Sequence, residues 1–518
     1  MNAAETFVEG LRQHGIEWMA TLCGHGLDPL LHAAKRAGLR LVDVRNEQTA
    51  GYMADACGRL TRRPGVCAVS SGVAHINALT GVANAWFDQA PMLLVSGAGA
   101  LSTAGRGHFQ EMDQVALAAS VTRYARVIES ANRTLEILDE ALAAAVRPEP
   151  GPVHLTFPLD VQVTEAGAAA GRRRSPTEAG ESADRGDPEA VAEALSKCRR
   201  PLIIAGSGVY YAGSGDELMR FSEQFSIPVV VPIWDRGSIE RPIETFLGVI
   251  GAASGGPRLL GDSDCIVMAG ALPDYRVGYL EPGAVMDGAA VLQFTQGWDE
   301  LGMAVGRRRA TPFKAWLGEA RKRREAFCRA VKERAIRPAS SGTHAVHIVQ
   351  ALREVMESAT VLLIDGGSIG QWAHQLLLDR YPGHWLTCGR SGVVGWGIGG
   401  AMAARLVYPD RPVVLLSGDG AFTFNVAELE RAARQELPFA AIVADDQGWG
   451  ITRTGHIRQF GEPISSSLGA IDFVGLAESL GARGVLIRKS EELVPALREA
   501  ISSRGVTVLH VPIVGGNP

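Results

Sequence analysis

Two acidic motifs follow apolar segments in the last third of the chain. Gly418-Asp419-Gly420 ends the segment PVVLLSGDG (412–420), and Asp445-Asp446 ends FAAIVADD (439–446), so that Asp446 comes 27 residues after Asp419. Glycines on both sides of Asp419 allow a sharp turn and a close approach to a ligand. The start of a helix after such a turn favours an anion. An aspartate in an anion site is consistent with a divalent cation, Mg²⁺ or Ca²⁺, lying between them.

The two motifs have to lie at the same edge of one sheet for this chemistry. Neighbouring parallel strands end at a common carboxyl edge, so Asp419 and Asp446 can bind one metal ion if their strands are adjacent. Read singly, the motifs also fit an ordinary turn and a solvated strand end. Asn425, with Glu428 three residues later, predicts a capping box and a helix that begins after Asn425.

The rest of the chain repeats the alternation of apolar strands and helical segments. Short, nearly continuous apolar strands between helices predict parallel sheets covered on both faces. We expect an α/β fold of three doubly wound parallel-sheet domains, at 1–165, 189–336 and 340–518, with a linker at 166–188. The predicted strands include 39–44, 66–71, 91–97, 199–208, 227–233, 263–271, 361–367, 412–420, 439–446 and 506–513. The predicted helices include 4–14, 49–61, 77–86, 214–224 and 312–335.

Composition excludes several classes of protein. The 518 residues are 46% hydrophobic and 21% charged, with a net charge of −5, which predicts a soluble globular chain without nucleic-acid or membrane partners. The seven cysteines form no CxxC pair, which predicts reduced thiols and a cytoplasmic location. The N-terminal segment lacks the apolar region of a signal peptide, and no apolar run is long enough for a transmembrane helix.

The segment LPFAAIVADDQGWG (437–450), together with Gly418-Asp419-Gly420, resembles the signature of thiamin diphosphate-dependent enzymes. In that family Gly-Asp-Gly is followed after about 25–30 residues by two asparagines and a glycine-containing turn. The resemblance implies that Asp419, Asp446 and the backbone carbonyl of Gly448 bind Mg²⁺. The chain departs from the family at Asp446, where the ligand is usually asparagine; an oxygen donor is kept and a negative charge is added.

Two glycine-rich segments add to this resemblance, IDGGSIGQWAHQ (364–375) and GRSGVVGWGIGGAMAARL (389–406). By analogy, the cofactor's diphosphate is bound at Gly418, Gly420, Gly367, Ser368, Ile369, Ala421 and Phe422. Its aminopyrimidine ring is held by the carbonyl of Gly392, with Val394 as the apolar residue between the two rings. Without the resemblance, close helix packing explains the second segment equally well.

The region from Arg45 to Gly97 is similar to the pyrimidine-binding domain of acetolactate synthase-like and benzaldehyde lyase-like members of the family. The resemblance assigns Glu47, in Arg45-Asn46-Glu47-Gln48, to the pyrimidine nitrogen, where it promotes formation of the reactive ylid. It also implies that the cofactor lies between the first domain of one subunit and the third domain of another. A homodimer or homotetramer is therefore expected.

Four polar residues are candidates for the substrate pocket. They are, in order of preference, Gln110 in GRGHFQEMDQ, His25 in LCGHGLDPL, His75 in SSGVAHINALTG and His108 beside Gln110. The resemblance suggests Gln110, His25 and His108, whereas His75 replaces a residue that is usually small or threonine in the family. A loop residue explains His25, and a helix start explains His75, without any catalytic role.

The resemblance implies a reaction through ylid and enamine intermediates on a small 2-oxo acid or hydroxyketone. We expect an acetolactate synthase-like decarboxylase or carboligase rather than the synthase itself. The grounds are Val394, where the synthases carry methionine, and the chain end soon after 506–513. The alternatives are a 2-hydroxyketone or 2-hydroxyacyl lyase, a C–C hydrolase, and a catalytically silent cofactor-binding homologue. The central domain binds FAD or ADP in some relatives. GSGVYYAGSG (206–215) lacks a dinucleotide fingerprint, which favours a structural loop and disfavours an NAD-dependent dehydrogenase.

Overall fold

The computed structural model describes residues 1–167, 186–251, 256–308, 311–335, 342–377 and 384–514. These residues form three sheets in which every strand pair is parallel, so the predicted α/β class with three parallel-sheet domains is confirmed. Most of the predicted linker at 166–188, and the start of the third domain at 340–341, lie outside the described residues. The predicted domain boundaries stay predictions.

By its internal contacts the chain divides into two compact units. The first unit comprises Met1–Glu181, Ile398–Asp410 and Asn425–Pro438, and the second comprises Ser182–Gly397, Arg411–Phe424 and Phe439–Pro518. Each unit is described by itself below.

The first unit contains a six-stranded sheet in the order β2-β1-β3-β4-β6-β5. Its strands are β1 Trp18–Leu22, β2 Arg40–Asp43, β3 Gly65–Val69, β4 Met92–Ala98, β5 Tyr124–Val127 and β6 Pro152–Pro158. Its helices are α1 Ala3–Gln13, α2 Asp28–Arg36, α3 Glu47–Thr61, α4 Val73–Asp88, α5 Gln114–Ala119, α6 Thr134–Ala145 and α7 Leu159–Val163. Strands β3, β4 and β6 are buried along almost their whole length and are mostly apolar, as expected for a sheet covered on both faces.

The second unit contains the central five-stranded sheet, in the order β11-β10-β7-β8-β9. Its strands are β7 Pro201–Ala205, β8 Val229–Pro232, β9 Phe246–Ile250, β10 Cys265–Ala269 and β11 Ala290–Gln293. The accompanying helices are α8 Pro188–Lys197, α9 Ser207–Tyr211, α10 Gly215–Phe225, α11 Trp298–Arg308 and α12 Lys314–Ala335.

The same unit contains a seven-stranded sheet in the order β12-β18-β16-β15-β13-β14, with β17 also paired to β18. Its strands are β12 Thr343–His344, β13 Val361–Ile364, β14 His384–Thr387, β15 Val413–Gly418, β16 Ala440–Asp445, β17 Arg483–Leu486 and β18 Thr507–Val514. The remaining helices are α13 Ala345–Val355, α14 Ser368–Leu376, α15 Gly397–Val407, α16 Asp419–Thr423, α17 Glu428–Arg434, α18 Gly450–Phe460, α19 Phe473–Ser479 and α20 Leu493–Ser502. Most of α15 and all of α17 belong to the first unit.

Several strands end earlier than the predicted ranges. Strand β13 ends at Ile364 and β3 at Val69, because polar and glycine residues follow and turn the chain. All seven cysteines are free thiols, as expected. Across the described ranges, no helix combines the length and the apolar character that a membrane span requires.

Candidate active site

Three adjacent strands of the seven-stranded sheet end in acidic residues. Strand β15 pairs with β13 on one side and with β16 on the other, with Ile364 opposite Leu416 and Gly418 opposite Ala444. Asp365, Asp419 and Asp446 directly follow these strands. The adjacency required for a shared metal ion is therefore present, since neighbouring parallel strands end at one edge.

Asp419 is a buried carboxylate at the start of α16, only 5% exposed. Its Oδ2 accepts a hydrogen bond from the N–H of Gly448 at 3.1 Å, which ties the turn after β15 to the loop after β16. Burial raises the pKa of Asp419 to about 7, and the negative charges of Asp446 and Asp445 contribute to that rise. A bound cation would relieve this concentration of negative charge.

Asp446 is also shielded from water, and its side chain is 7% exposed. Its Oδ2 accepts a hydrogen bond from the hydroxyl of Ser368 at 3.4 Å and lies 3.4 Å from Nη2 of Arg453. Burial raises the pKa of Asp446, and the charge of Arg453 opposes that rise. Asp446 therefore has two polar partners on one oxygen.

These residues fit a magnesium ion that is completed by phosphate oxygens. Asp419 and Asp446 offer carboxylate oxygens, which are the donors that Mg²⁺ prefers. Within the described ranges, no group of three or more His, Cys, Asp or Glu side chains is placed to hold a metal. A closed protein cage is thus absent there, whereas Mg²⁺ is often held by one or two carboxylates together with the phosphates of a ligand.

Glycines allow the turns that follow the strands at this edge to approach each other. Gly367 has φ +120°, and a Cβ atom on it would lie 2.9 Å from Cα of Gly418. A Cβ atom on Gly420 would lie 2.8 Å from the ring of Trp449. Helix α14 begins at Ser368, so the first-turn N–H groups of Ser368 and Ile369 are available to an anion. Ala421 and Phe422 lie buried in the short helix α16.

The third strand-end acid, Asp365, was not singled out from the sequence. Its carboxylate accepts hydrogen bonds from the N–H groups of Gly366 at 2.7 Å and Gly397 at 2.8 Å, and burial raises its pKa to about 6. It thereby fixes the end of the glycine-rich loop that contains Gly392 and Val394. The signal that identifies Asp365 is its place directly after a buried strand, as at Asp419.

The loop predicted to hold the aminopyrimidine ring runs beside the strand-end turn. Cγ1 of Val394 lies 2.6 Å from the place where a Cβ atom on Gly366 would stand, so Gly366 makes room for Val394. Gly392 has φ +67° and is exposed, and a Cβ atom on it would meet nothing within 4 Å. The space around Gly392 is therefore open to a ligand.

Glu47 lies in the first unit, as the first residue of α3, and is half-buried. Its Oε2 accepts a hydrogen bond from Nδ2 of Asn77 at 2.6 Å, and the same Nδ2 donates to Oδ1 of Asn46 at 3.0 Å. Asn46 in turn caps the helix by accepting a hydrogen bond from the N–H of Gln48 at 3.0 Å. Asn77, which was not predicted, therefore fixes both the cap and the glutamate.

The predicted capping box at Asn425 and Glu428 is wrong. Helix α17 begins at Glu428, after Ala427, with no side-chain cap. The carboxylate of Glu428 instead accepts hydrogen bonds from the N–H groups of Arg45, at 2.9 and 3.1 Å, and Asn46, at 3.0 Å. A tertiary contact across 383 residues replaces the local cap, because these N–H groups precede a helix and have no partner inside it.

Three of the four pocket candidates lie on loops at the carboxyl edge of the six-stranded sheet. His25 is exposed, and its ring meets that of Phe109 edge-on with centroids 5.4 Å apart. Gln110 has φ +55°, and its Oε1 accepts a hydrogen bond from the hydroxyl of Ser71 at 3.0 Å. His108, in the same loop as Gln110, lies 3.6 Å from a carboxylate oxygen of Glu111.

His75, the third candidate, lies in the core instead. It is completely buried, with Nδ1 at 2.8 Å from the hydroxyl of Ser96, and its ring lies 4.6 Å from that of His154. Burial lowers the pKa of His75 to about 4. These contacts account for His75 as a neutral core residue of the first unit.

The first turn of the central sheet does not fit a nucleotide diphosphate. Oδ2 of Asp235 accepts the N–H of Ser207 at 3.1 Å and lies 2.7 Å from the position of a Cβ atom on Gly206. Asp235 forms a buried ion pair with Arg276, which also binds Asp274. A carboxylate of the chain itself thus accepts an N–H group of this turn, which disfavours a diphosphate there.

Comparison with known proteins agrees with this fold. Models described as the N-terminal, central and C-terminal domains of thiamine pyrophosphate enzymes match residues 1–117, 188–305 and 365–511, which together exceed half of the chain.

Individual proteins match over nearly the whole chain. "Acetolactate synthase large subunit IlvG" of Mycobacterium tuberculosis is 28% identical over 99% of the chain and 95% of its own length. "2-hydroxyacyl-CoA lyase 2" of Homo sapiens is 28% identical over 95% of the chain and 86% of its own length. "Acetolactate synthase large subunit" of Parasynechococcus marenigrum is 27% identical over the whole chain and 88% of its own length.

The fold is a parallel-sheet α/β architecture in which acidic residues follow three adjacent strands, at the edge where such sheets bind ligands. The chain belongs to the thiamine pyrophosphate enzyme family, and its relatives include both synthases and lyases.

Proposed function

We propose that the chain is a thiamin diphosphate- and Mg²⁺-dependent enzyme that makes or breaks a carbon–carbon bond next to a carbonyl group. The observation that carries this proposal is the pair of buried carboxylates at adjacent strand ends, Asp419 and Asp446, in the loops joined by Gly448. Family membership indicates thiamin diphosphate as the cofactor, and the all-oxygen donor set supports Mg²⁺ as the metal.

The roles of the residues follow from their contacts. Asp419, Asp446 and the carbonyl of Gly448 hold the metal ion, and the start of α14 at Ser368 and Ile369 donates N–H groups to the diphosphate. The bound cofactor supplies a carbon nucleophile for attack on a carbonyl group. Glu47 exchanges a proton with the pyrimidine ring through Oε1, because Asn77 already holds Oε2.

We further propose that the working enzyme is a homodimer or homotetramer in which Glu47 of one copy acts at the metal loop of another. The exposed face of α4 supports an interface between copies in the first unit. Val73, Ile76 and Phe87 on this helix are 63%, 42% and 52% exposed, and exposed apolar side chains on one face of a helix favour a contact surface.

For the reaction we favour decarboxylation of a 2-oxo acid, with or without ligation to an acceptor carbonyl. Exposed His25 and half-buried Gln110, at one sheet edge, are the side chains assigned to the substrate. A second candidate is cleavage of a 2-hydroxyacyl compound. It is favoured by the match to a protein named as a 2-hydroxyacyl-CoA lyase, at the same identity as the match to a synthase.

The test is a substrate panel of 2-oxo acids, 2-hydroxyketones and 2-hydroxyacyl thioesters, with and without thiamin diphosphate and Mg²⁺. We expect cofactor-dependent turnover of at least one class, and a loss of about 100-fold or more in Glu47→Gln. Glu17→Gln, an exposed carboxylate in the same unit, is the matched control.

Each outcome separates the candidates. Turnover that survives in Glu47→Gln contradicts the role of Glu47. Efficient formation of acetolactate from pyruvate would identify a synthase, and thioester cleavage would identify the lyase. Cofactor binding without turnover of any class would favour a catalytically silent homologue.

A further inference from the structure

Arg453, on the first turn of α18, contacts both the side chain and the backbone carbonyl of Asp446. Its Nη2 lies 3.4 Å from Oδ2 of Asp446, and both Nη1 and Nη2 donate to the backbone carbonyl of Asp446 at 3.1 Å. Nη1 also donates to the carbonyl of Gln447 at 3.3 Å. One guanidinium group therefore contacts both the side chain and the backbone of the second strand-end acid.

Two glycines provide the space for this pair. A Cβ atom on Gly448 would lie 2.4 Å from Nη1 of Arg453, and a Cβ atom on Gly450 would lie 2.4 Å from Oδ2 of Asp446. A larger residue at either position would displace one of the two groups. Gln447, between them, has φ +52°, a strained value for a residue other than glycine, and its carbonyl is held by Arg453 and by the N–H of Leu468 at 2.8 Å.

The neighbouring acid does not compete for Arg453. Oδ2 of Asp445 pairs with Nε2 of His510 at 2.9 Å, and its Oδ1 accepts the N–H of Gln447 at 3.0 Å. Asp419 accepts the N–H of Gly448. Both aspartates stand where the resembled enzymes carry asparagines, and the ion pair of Arg453 is thus specific to Asp446, the one proposed to bind the metal.

We propose that Arg453 is the counter-cation that permits an aspartate at the second metal-binding position. The charge of Arg453 cancels that of Asp446, so the pair presents the metal loop with an oxygen donor of the same net charge as asparagine. Arg453 is a positioning residue in this role, and the inference rests on the proposed function. It explains why an additional negative charge is tolerated beside a diphosphate.

A double-mutant cycle tests the pairing, with Arg453→Met, Asp446→Asn and the double variant. Two properties are measured: the thermal unfolding midpoint of the cofactor-free chain, and the affinity for thiamin diphosphate at saturating Mg²⁺ by calorimetry. We expect Arg453→Met to weaken thiamin diphosphate binding about tenfold, since it leaves the shielded carboxylate of Asp446 without its counter-charge beside the diphosphate. Asp446→Asn leaves only the partly exposed Arg453 without its partner and should weaken binding less. The double variant is expected to bind within about threefold of the parent, because the remaining loop is neutral again.

Two further variants separate charge from structure. Arg458→Met, an exposed arginine on the same helix, is the matched control and should change neither property. Arg453→Lys keeps the charge but loses the forked donor geometry, so it should weaken binding less than Arg453→Met does. If Arg453→Met fails to fold, the double variant should still fold.

The proposal is overturned if Arg453→Met weakens binding by the same factor in the Asp446→Asn background as in the parent chain. It is also overturned if Arg453→Lys is as damaging as Arg453→Met, or if the double variant fails to fold. Coupling in the unfolding midpoint without any binding of thiamin diphosphate would support the pair and refute the proposed function, so the two failures are distinguishable.

Discussion

Removal of the Glu428 carboxylate should weaken the first unit at the position that holds Glu47. In Glu428→Ala, the N–H groups of Arg45 and Asn46 lose the oxygens that they reach at 2.9–3.1 Å. Each backbone donor left without an acceptor costs about 1–3 kcal/mol. Water can reach exposed Arg45 and replace part of its bond, so we expect a total loss of about 2–3 kcal/mol in the free energy of unfolding.

The matched variant is Glu428→Gln. Oε1 accepts hydrogen bonds from the N–H groups of both Arg45 and Asn46. A glutamine whose carbonyl oxygen takes the place of Oε1 therefore keeps a bond to each of them. Burial raises the pKa of Glu428 to about 7, so glutamine also removes a carboxylate that is costly to ionise. We expect Glu428→Gln to cost less than about 1 kcal/mol at pH 8.

The assays are urea unfolding of both variants and the rate of hydrogen–deuterium exchange at the reactive carbon of bound thiamin diphosphate. A looser segment before Glu47 should slow that exchange about 10- to 100-fold in Glu428→Ala, because small displacements of a catalytic group are costly. Equal stability of Glu428→Ala and the parent, or equal damage in both variants, would refute the reasoning.

Two other predictions follow from buried groups. Because burial lowers the pKa of His75 to about 4 from an unfolded value of 6.5, the unfolded chain takes up the proton first as pH falls. The contribution of His75 to the free energy of unfolding is therefore intact above pH 6.5 and falls by about 2 kcal/mol at pH 5. The free energy of unfolding of His75→Asn, measured in urea, should lack this part of the pH dependence. In the central sheet, Asp235 accepts an N–H group of the turn where a diphosphate would bind, so the purified chain should show no flavin absorbance, and ADP should not raise its unfolding midpoint. A bound flavin would contradict this interpretation.

The sequence predicted those parts of the site that are local in the chain. Asp419 and Asp446 were identified because each follows an apolar run, and such runs form buried parallel strands whose ends meet at one edge. Glu47 was identified by its motif, and the structure places it at the start of a helix capped by Asn46. Strand ends were predicted less accurately, because the predicted strand 361–367 included Asp365 and two glycines, whereas the strand ends at Ile364.

Contacts between distant segments could not be read from local patterns. Glu428 fits a capping box by spacing alone, yet it binds backbone donors 383 residues away. His75 fits a pocket residue by its motif, yet the packing of α4 against β4 and β6 buries it beside Ser96 and His154. In both cases the alternative partner lies on another element, and its position depends on how the elements pack.

By itself, the sequence determined the α/β class, the family and the strand-end acids, because apolar periodicity and short motifs are properties of neighbouring residues. The tertiary structure alone decided which group balances each buried charge. Arg453 neutralises Asp446, Arg276 neutralises Asp235, and Asp365 is held by the N–H groups of the glycine-rich loop. A buried charge is stable only with a partner close to it, and that proximity is fixed by packing rather than by position in the chain.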